Sequence, residues 1–197
     1  MMETKLQKQI VDYFCDFEEF YRAATKNLLQ CQAIADSINS NISTCREIAE
    51  ADISRTPLEE YKDIQSKLLS KLHDRISDRV VTIQQHSLQL STLFEELYTK
   101  KKDLILKSKD IDFSANTPLV RGSPFQPALK TLLVYANYTI KFGAHICSIF
   151  ETSLNSFALF GTDCELPADS FVIPRVITLS AKEIVTYTSC FTRDTKK

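Results

Sequence analysis

Hydrophobic positions in the first fifty residues recur in steps of three and four. Leu6, Ile10, Tyr13, Phe17, Phe20 and Ala24 lead into Leu28, Cys31, Ala35, Ile38, Ile42, Cys45 and Ala49, the spacing of one face of an α-helix. Two successive steps of four around Ala24 amount to a four-residue insertion in the heptads, which locally unwinds a left-handed supercoil. From residue 69 an apolar residue recurs every seven positions: Leu69, Ile76, Ile83, Leu90, Leu97 and Leu104. Four residues after each of the first five stand His73, Val80, Ser87, Phe94 and Lys101. That mixed row suits the edge of a bundle better than a fully buried dimer seam. A third stripe, Leu133, Ala136, Ile140, Gly143, Cys147, Phe150, Leu154 and Phe157, alternates three and four without a fault.

Helix boundaries are read from capping chemistry. No glycine and a single proline, Pro57, occur before residue 118. Thr56-Pro57-Leu58-Glu59 has the form of a capping box with proline at the first helical position. Ser123-Pro124-Phe125-Gln126 repeats that logic, and Ser180-Ala181-Lys182-Glu183 is a further capping box. Helices are therefore predicted over about 3–50, 57–108 and 124–160, with Gly161 as a left-handed C-cap. A short fourth helix is predicted over about 181–191, with Ile184, Val185, Thr188 and Phe191 facing inward. The segment 108–123, with Asp110, Asp112, Asn116, Pro118 and Gly122, reads as a linker across a bundle end. Gly143 in an inward row costs about 1 kcal/mol of helix propensity, which close approach of a neighbouring backbone would justify.

The predicted fold is all-α: an elongated helical bundle or antiparallel coiled coil of three long helices with a short C-terminal helix. Its domains read as a long-helix bundle over 1–161 and a proline-bounded tail over 162–197. In the tail the apolar runs around Leu166-Pro167, Phe171-Val172-Ile173-Pro174 and Val176-Ile177-Thr178-Leu179 are expected to dock as extended segments, and Thr192 to Lys197 to fray. The densest aromatic cluster, Tyr13, Phe14, Phe17, Phe20 and Tyr21, covers more than one face of the first helix. A two-helix seam cannot bury all of it. Either a third helix of the same chain covers the rings or a partner protein does, and Tyr13, Phe14, Phe17 and Tyr21 are the candidate partner-binding residues.

Composition narrows the function classes. The chain has 197 residues, 44% hydrophobic and 25% charged, with a formal net charge of -1, so no global field draws it to nucleic acid or to an anionic membrane. No stretch has the length of a signal-peptide core or a membrane span, and an intracellular protein, cytoplasmic and nuclear, is expected. Cys15, Cys31, Cys45, Cys147, Cys164 and Cys190 are widely spaced with no C-x-x-C pair; they read as reduced thiols. Cys31 and Cys45, about 21 Å apart by helical rise, cannot join within one helix. His73, His86 and His145 are isolated. No nucleotide-binding, zinc-protease or hydrolase motif occurs, and neither cofactor, metal nor catalytic residue is expected. Lys100, Lys101, Lys102, Lys107 and Lys109 cluster at the end of the second helix, where cations offset the helix dipole. Lys100, Lys101 and Lys102 are a candidate anion contact. Thr56, Thr117 and Ser123 each precede proline; Thr56 and Ser123 are predicted caps, where a phosphate would meet a helix N-terminus.

The order of features resembles a known family. A first helix carrying Phe14, Phe17 and Phe20 leads through a Leu28-Leu29-x-Cys31 turn to a long second helix. A Ser123-Pro124 start to the third helix and a Leu166-Pro167 segment behind it follow. Over roughly residues 5 to 175 this resembles the AIRIM family of ribosome maturation factors, which associate with AAA-type ATPases, and more loosely their helical partner CINP. The resemblance implies a non-enzymatic adaptor that pairs with a second, CINP-like helical subunit and adapts AAA ATPases to large-subunit (pre-60S) ribosomal particles. It carries no residue-level motif across. The same long helices would serve a coiled-coil subunit of a trafficking, tethering or kinetochore assembly, which is the alternative expectation.

Overall fold

A computed structural model describes residues 2–54, 56–61, 63–160 and 165–192. The described residues form an all-α helical bundle: α1 (Met2–Glu50), α2 (Ile64–Ser108), the single turn α3 (Pro118–Arg121), α4 (Leu129–Phe160) and α5 (Arg175–Thr192). Leu28, Leu29 and Cys31 lie inside α1 and form no turn. Gly161, the expected C-cap, lies outside the described residues, as do Cys164 and residues 193–197.

Two compact units are present, and α1, α2 and α4 each contribute to both. One spans Met1–Lys26, Gln89–Cys147 and Ile173–Lys197; the other spans Asn27–Leu88 and Ser148–Val172. In the first, Phe20 of α1 meets Phe94 of α2, and Asp16 pairs with Lys100. In the second, Arg79 donates to the Ser37 carbonyl and Gln65 to those of Ile48 and Ala51. Residue numbers rise along α1 as they fall along α2, so the two helices are antiparallel within each unit.

Helix periodicity set the cores of α1 and α2. Every inward position of α1 from Leu6 to Ile42 is buried, Cys45 is half-buried and Ala49 is exposed. Ile76, Ile83, Leu90, Leu97 and Leu104 are buried, and Leu69 is half-buried. On α4 the buried line is Leu129, Leu132, Ala136, Thr139, Phe142, Gly143, Ile146, Phe150 and Ser153. Leu133, Ile140, Cys147, Leu154 and Phe157 of the expected stripe are only half-buried. The inward arc is centred about one residue earlier, because in the first unit α4 packs against both α1 and α5.

Three helix starts fall elsewhere than the capping boxes predict. Thr56 Oγ1 accepts from the Leu58 N–H, and Pro57–Glu60 forms one 3-10 turn that buries no residue. With no apolar face to pack, that turn is not extended, and α2 begins at Ile64. Ser123 to Gln126 is a tight turn closed by two backbone hydrogen bonds, Ser123 N–H to Gln126 at 2.8 Å and Gln126 N–H to Ser123 at 3.2 Å. Pro127 follows, and its ring keeps Gln126 out of the helical region, so α4 starts only at Leu129. Ser180 lies inside α5, where its hydroxyl donates to the Val176 carbonyl; the helix starts at Arg175, and the Pro174 carbonyl accepts its first bonds from Ile177 and Thr178. Ile184, Thr188 and Phe191 are buried as expected, with Ala181; Val185 is half-buried, and Thr192, expected to fray, is buried.

The linker between α2 and α4 holds α3, capped by Thr117 Oγ1 accepting from the Val120 N–H. It ends at Gly122, whose φ of 87° suits a residue without Cβ. The segment before α5 docks in the second unit, but not as the extended run expected: residues 168–171 form a turn, with the Ser170 N–H donating to the Pro167 carbonyl and the Val172 N–H to that of Asp169. Asn39 of α1 donates to the Leu166 carbonyl at 2.9 Å and accepts the Leu166 N–H at 2.8 Å. One heptad earlier, Gln32 donates to the Ala168 carbonyl at 2.7 Å and accepts the Phe171 N–H at 3.1 Å. Leu166 and Phe171 are buried between these clamps, and Phe171 packs on Phe150.

Candidate partner-binding surface

The aromatic face of α1 is covered from within the chain. Phe17 is 0% exposed, Tyr13 and Phe14 are 1% exposed, and Tyr21 is half-buried. Phe142 of α4 stands at the centre: Phe17, Phe20 and Tyr21 lie around it with ring centroids at 6.1, 6.2 and 5.6 Å. Phe14 packs edge-on to Phe191 of α5. The Tyr13 hydroxyl bonds to the Ala136 carbonyl and the Thr139 hydroxyl. Burial holds that phenol well above its ordinary range, the Thr139 bond offsetting part of the rise. Tyr13, Phe14 and Phe17 are therefore core residues, because α4 and α5 supply the third and fourth walls that a two-helix seam lacks.

Two of the clustered lysines, Lys100 and Lys102, are engaged locally. Lys100 forms an ion pair with Asp16 at 2.6 Å, and its hydrogen bond to that carboxylate raises the ammonium's pKa. Lys102 sits 4.4 Å above the Tyr98 ring, and Lys101 is half-buried. Only Lys107 of the five lies in the last turn of α2. Gln9, Asp12, Cys15, Asp16, Lys100 and Asp103 line an open cleft here, so Lys100 faces carboxylates of its own chain.

Gly143 faces a side chain and not a backbone. A Cβ at that position would fall on the ring carbons of Phe94. Cys31 is fully buried, and desolvation pushes its thiol up to about 12. His73 is exposed, while His86 and His145 are half-buried. Among the described residues no group of three or more His, Cys, Asp or Glu side chains is placed to hold a metal ion. No helix of the described residues is long and apolar enough to cross a membrane.

An apolar surface that faces solvent lies on α4 and α5, within the first unit; other exposed apolar side chains, such as Leu29, Leu88, Leu106 and Phe125, lie elsewhere. Val134 and Tyr138 of α4, and Val176, Leu179 and Tyr187 of α5, are all exposed, Val176 at 75% and Tyr187 at 57%. Tyr135 stacks on Tyr187, centroids 6.5 Å apart and planes at 18°. With Tyr138, Ser180, Glu183 and Ile184 these two rings line a shallow groove of about 260 Å³. Sequence reading missed this strip because the predicted fourth helix began at 181 and left Val176 and Leu179 in an extended segment. With the helix begun at Arg175, Val176, Leu179 and Tyr187 fall in steps of three and eight on one face.

The fold and this surface define a helical-bundle protein with an apolar strip open to solvent. Comparison with known proteins finds no matching family model, no matching curated protein and no matching solved structure.

Proposed function

We propose that the chain is a non-enzymatic helical adaptor, a subunit of an AAA-ATPase complex that acts in late maturation of the large ribosomal subunit. The observation that supports an adaptor is the exposed strip of Val134, Tyr138, Val176, Leu179 and Tyr187 on a bundle whose aromatic core is already filled by its own helices. Solvent-facing apolar rows of this kind mark interaction sites. The ribosomal assignment rests on the resemblance in the order of features between residues 5 and 175. In this reading the AAA-type ATPases supply the work, a second CINP-like helical subunit pairs with this chain, and pre-60S particles are engaged through the assembly, in the cytoplasm and nucleus.

Affinity purification of the tagged full chain from its own cells, with mass spectrometry of the eluate, tests the assignment. The expected result is recovery of AAA ATPases, a helical partner and large-subunit maturation factors. A partner list made of coat, tethering or kinetochore subunits would overturn the ribosomal reading and place the chain in the other kind of assembly.

A further inference from the structure

We propose that the α4–α5 strip is the seat of an acidic amphipathic helix from a partner protein, an inference that deepens the adaptor reading and rests on it. A groove between two packed helices accepts the side chains of a third helix laid along it, with anchors at helical spacing. The strip offers matching rows: Val134 and Tyr138 stand four apart on α4, and Val176 and Leu179 three apart on α5, with Tyr187 two turns further on. Tyrosines with an apolar body and a polar tip are enriched in such interfaces.

Charge selects the occupant. On α4 the row continues into cations at both ends, Lys130 four residues before Val134 and Lys141 three after Tyr138. The Lys141 ammonium lies 5.5 Å from the Tyr138 ring centroid. Arg175 and Lys182 flank the row on α5, and Glu183 is the one carboxylate among the described residues of the strip. From Phe113 to Phe150 the chain contains no Asp or Glu at all. The one charged side chain lining the groove is Glu183, while the exposed faces of the same two helices carry Lys130 and Lys141 on α4 and Arg175 and Lys182 on α5; that outer cationic margin favours a helix with Leu or Ile on one face and Asp or Glu along its flanks. A single-stranded nucleic acid would need free ring faces for its bases. Here Tyr135 and Tyr187 are stacked on each other and Lys141 lies over Tyr138, while Val134, Val176 and Leu179 present aliphatic surface.

Site-directed photo-crosslinking in the protein's own cells tests this. Benzoylphenylalanine replaces Tyr138 or Tyr187 in the full chain, with Leu29, 70% exposed and off the strip, as the control position. After irradiation the crosslinked peptides are sequenced. The expected result is that both strip positions reach one segment of one other protein, helical and net negative. The combined variant Lys130→Glu, Lys141→Glu, Lys182→Glu should then lower the yield about tenfold, as should serine at whichever of Tyr138 and Tyr187 does not carry the crosslinker. Thermal melting should be unchanged, since every substituted side chain is exposed. Crosslinks to nucleic acid, to lipid, to a second copy of this chain or to a segment without acidic flanks would overturn the inference, as would a yield no higher than at Leu29. An acidic helix from a protein unconnected with AAA ATPases would sustain the inference and remove the ribosomal assignment. Recovery of the ATPase complex with strip crosslinks at background would do the reverse.

Discussion

A methyl group at position 143 would have to share space with the ring of Phe94, which is itself held between Phe20 and Tyr98. Two effects of opposite sign meet there. Alanine improves helix propensity by about 1 kcal/mol, and overpacking costs about 1–3 kcal/mol; the ring cannot swing away without leaving Phe20. Gly143→Ala is therefore expected to lower stability by about 1 kcal/mol in urea unfolding. Combined with Phe94→Leu it should cost less than the two changes separately, a coupling that a double-mutant cycle reads directly. Cys31 gives a second expectation at this scale. Its thiol titrates near 9 when unfolded and about 12 when folded. Between those values the unfolded chain releases a proton that the folded chain keeps. Stability from this group is thus complete below pH 9 and is lost as pH rises toward 12. The urea midpoint should fall from pH 9 upward, with a shallower initial slope in Cys31→Ala; an identical slope would assign the fall to other groups.

Between helices, side-chain amides do work that a strand ladder would do elsewhere. Asn39 and Gln32, a heptad apart on α1, each satisfy one N–H and one C=O of the docked segment 165–172. Truncating Asn39 leaves the part-buried Leu166 N–H and carbonyl without those bonds, at a cost of about 1–3 kcal/mol. Asn39→Ala should speed hydrogen exchange at the Leu166 amide more than at amides of α2, and Gln32→Ala should do the same at Phe171. The apolar runs signalled this docking, but not its register, since Asn39 and Gln32 look like ordinary polar positions beside the seam. Element starts divide in the same way. Thr56, Ser123 and Ser180 all have the chemistry of caps, and Thr56 does cap a turn. Whether a turn grows into a helix depends on what its next apolar residues can bury and on a proline such as Pro127, neither of which a four-residue motif contains. Ser180→Ala, inside α5, should therefore change stability by less than about 0.5 kcal/mol, where loss of a true N-cap would cost about 1 kcal/mol. Thermal unfolding of that variant separates the two.

Across the whole chain, the seams of α1 and α2 were legible because each follows one face of one helix at constant spacing. Cover of the aromatic face by a third helix was one of two expectations, but which residues supply it was not legible, because that depends on α4 and α5 arriving at the same level as Phe17 from distant parts of the sequence. Phe142 shows why: it lies off the faultless three-four stripe of its own helix, yet it is the ring that closes the cluster. The α4–α5 strip had a readable signal in the acid-free run from Phe113 to Phe150, but that run gains meaning only once α5 begins at Arg175. Core and candidate surface are separable by one substitution applied to each. Phe17→Ser removes a ring that is 0% exposed and puts a hydroxyl in its place, which should cost about 3–5 kcal/mol, a large share of the 5–15 kcal/mol that holds a typical domain. Tyr138→Ser, at 48% exposure, should stay within about 1 kcal/mol of the parent. If urea unfolding gives the two variants similar losses, the strip belongs to the core and has no free face to offer. If Phe17→Ser unfolds and Tyr138→Ser melts like the parent, the strip on α4 and α5 is a free face that a partner can reach, and the rings of α1 are what holds it in place.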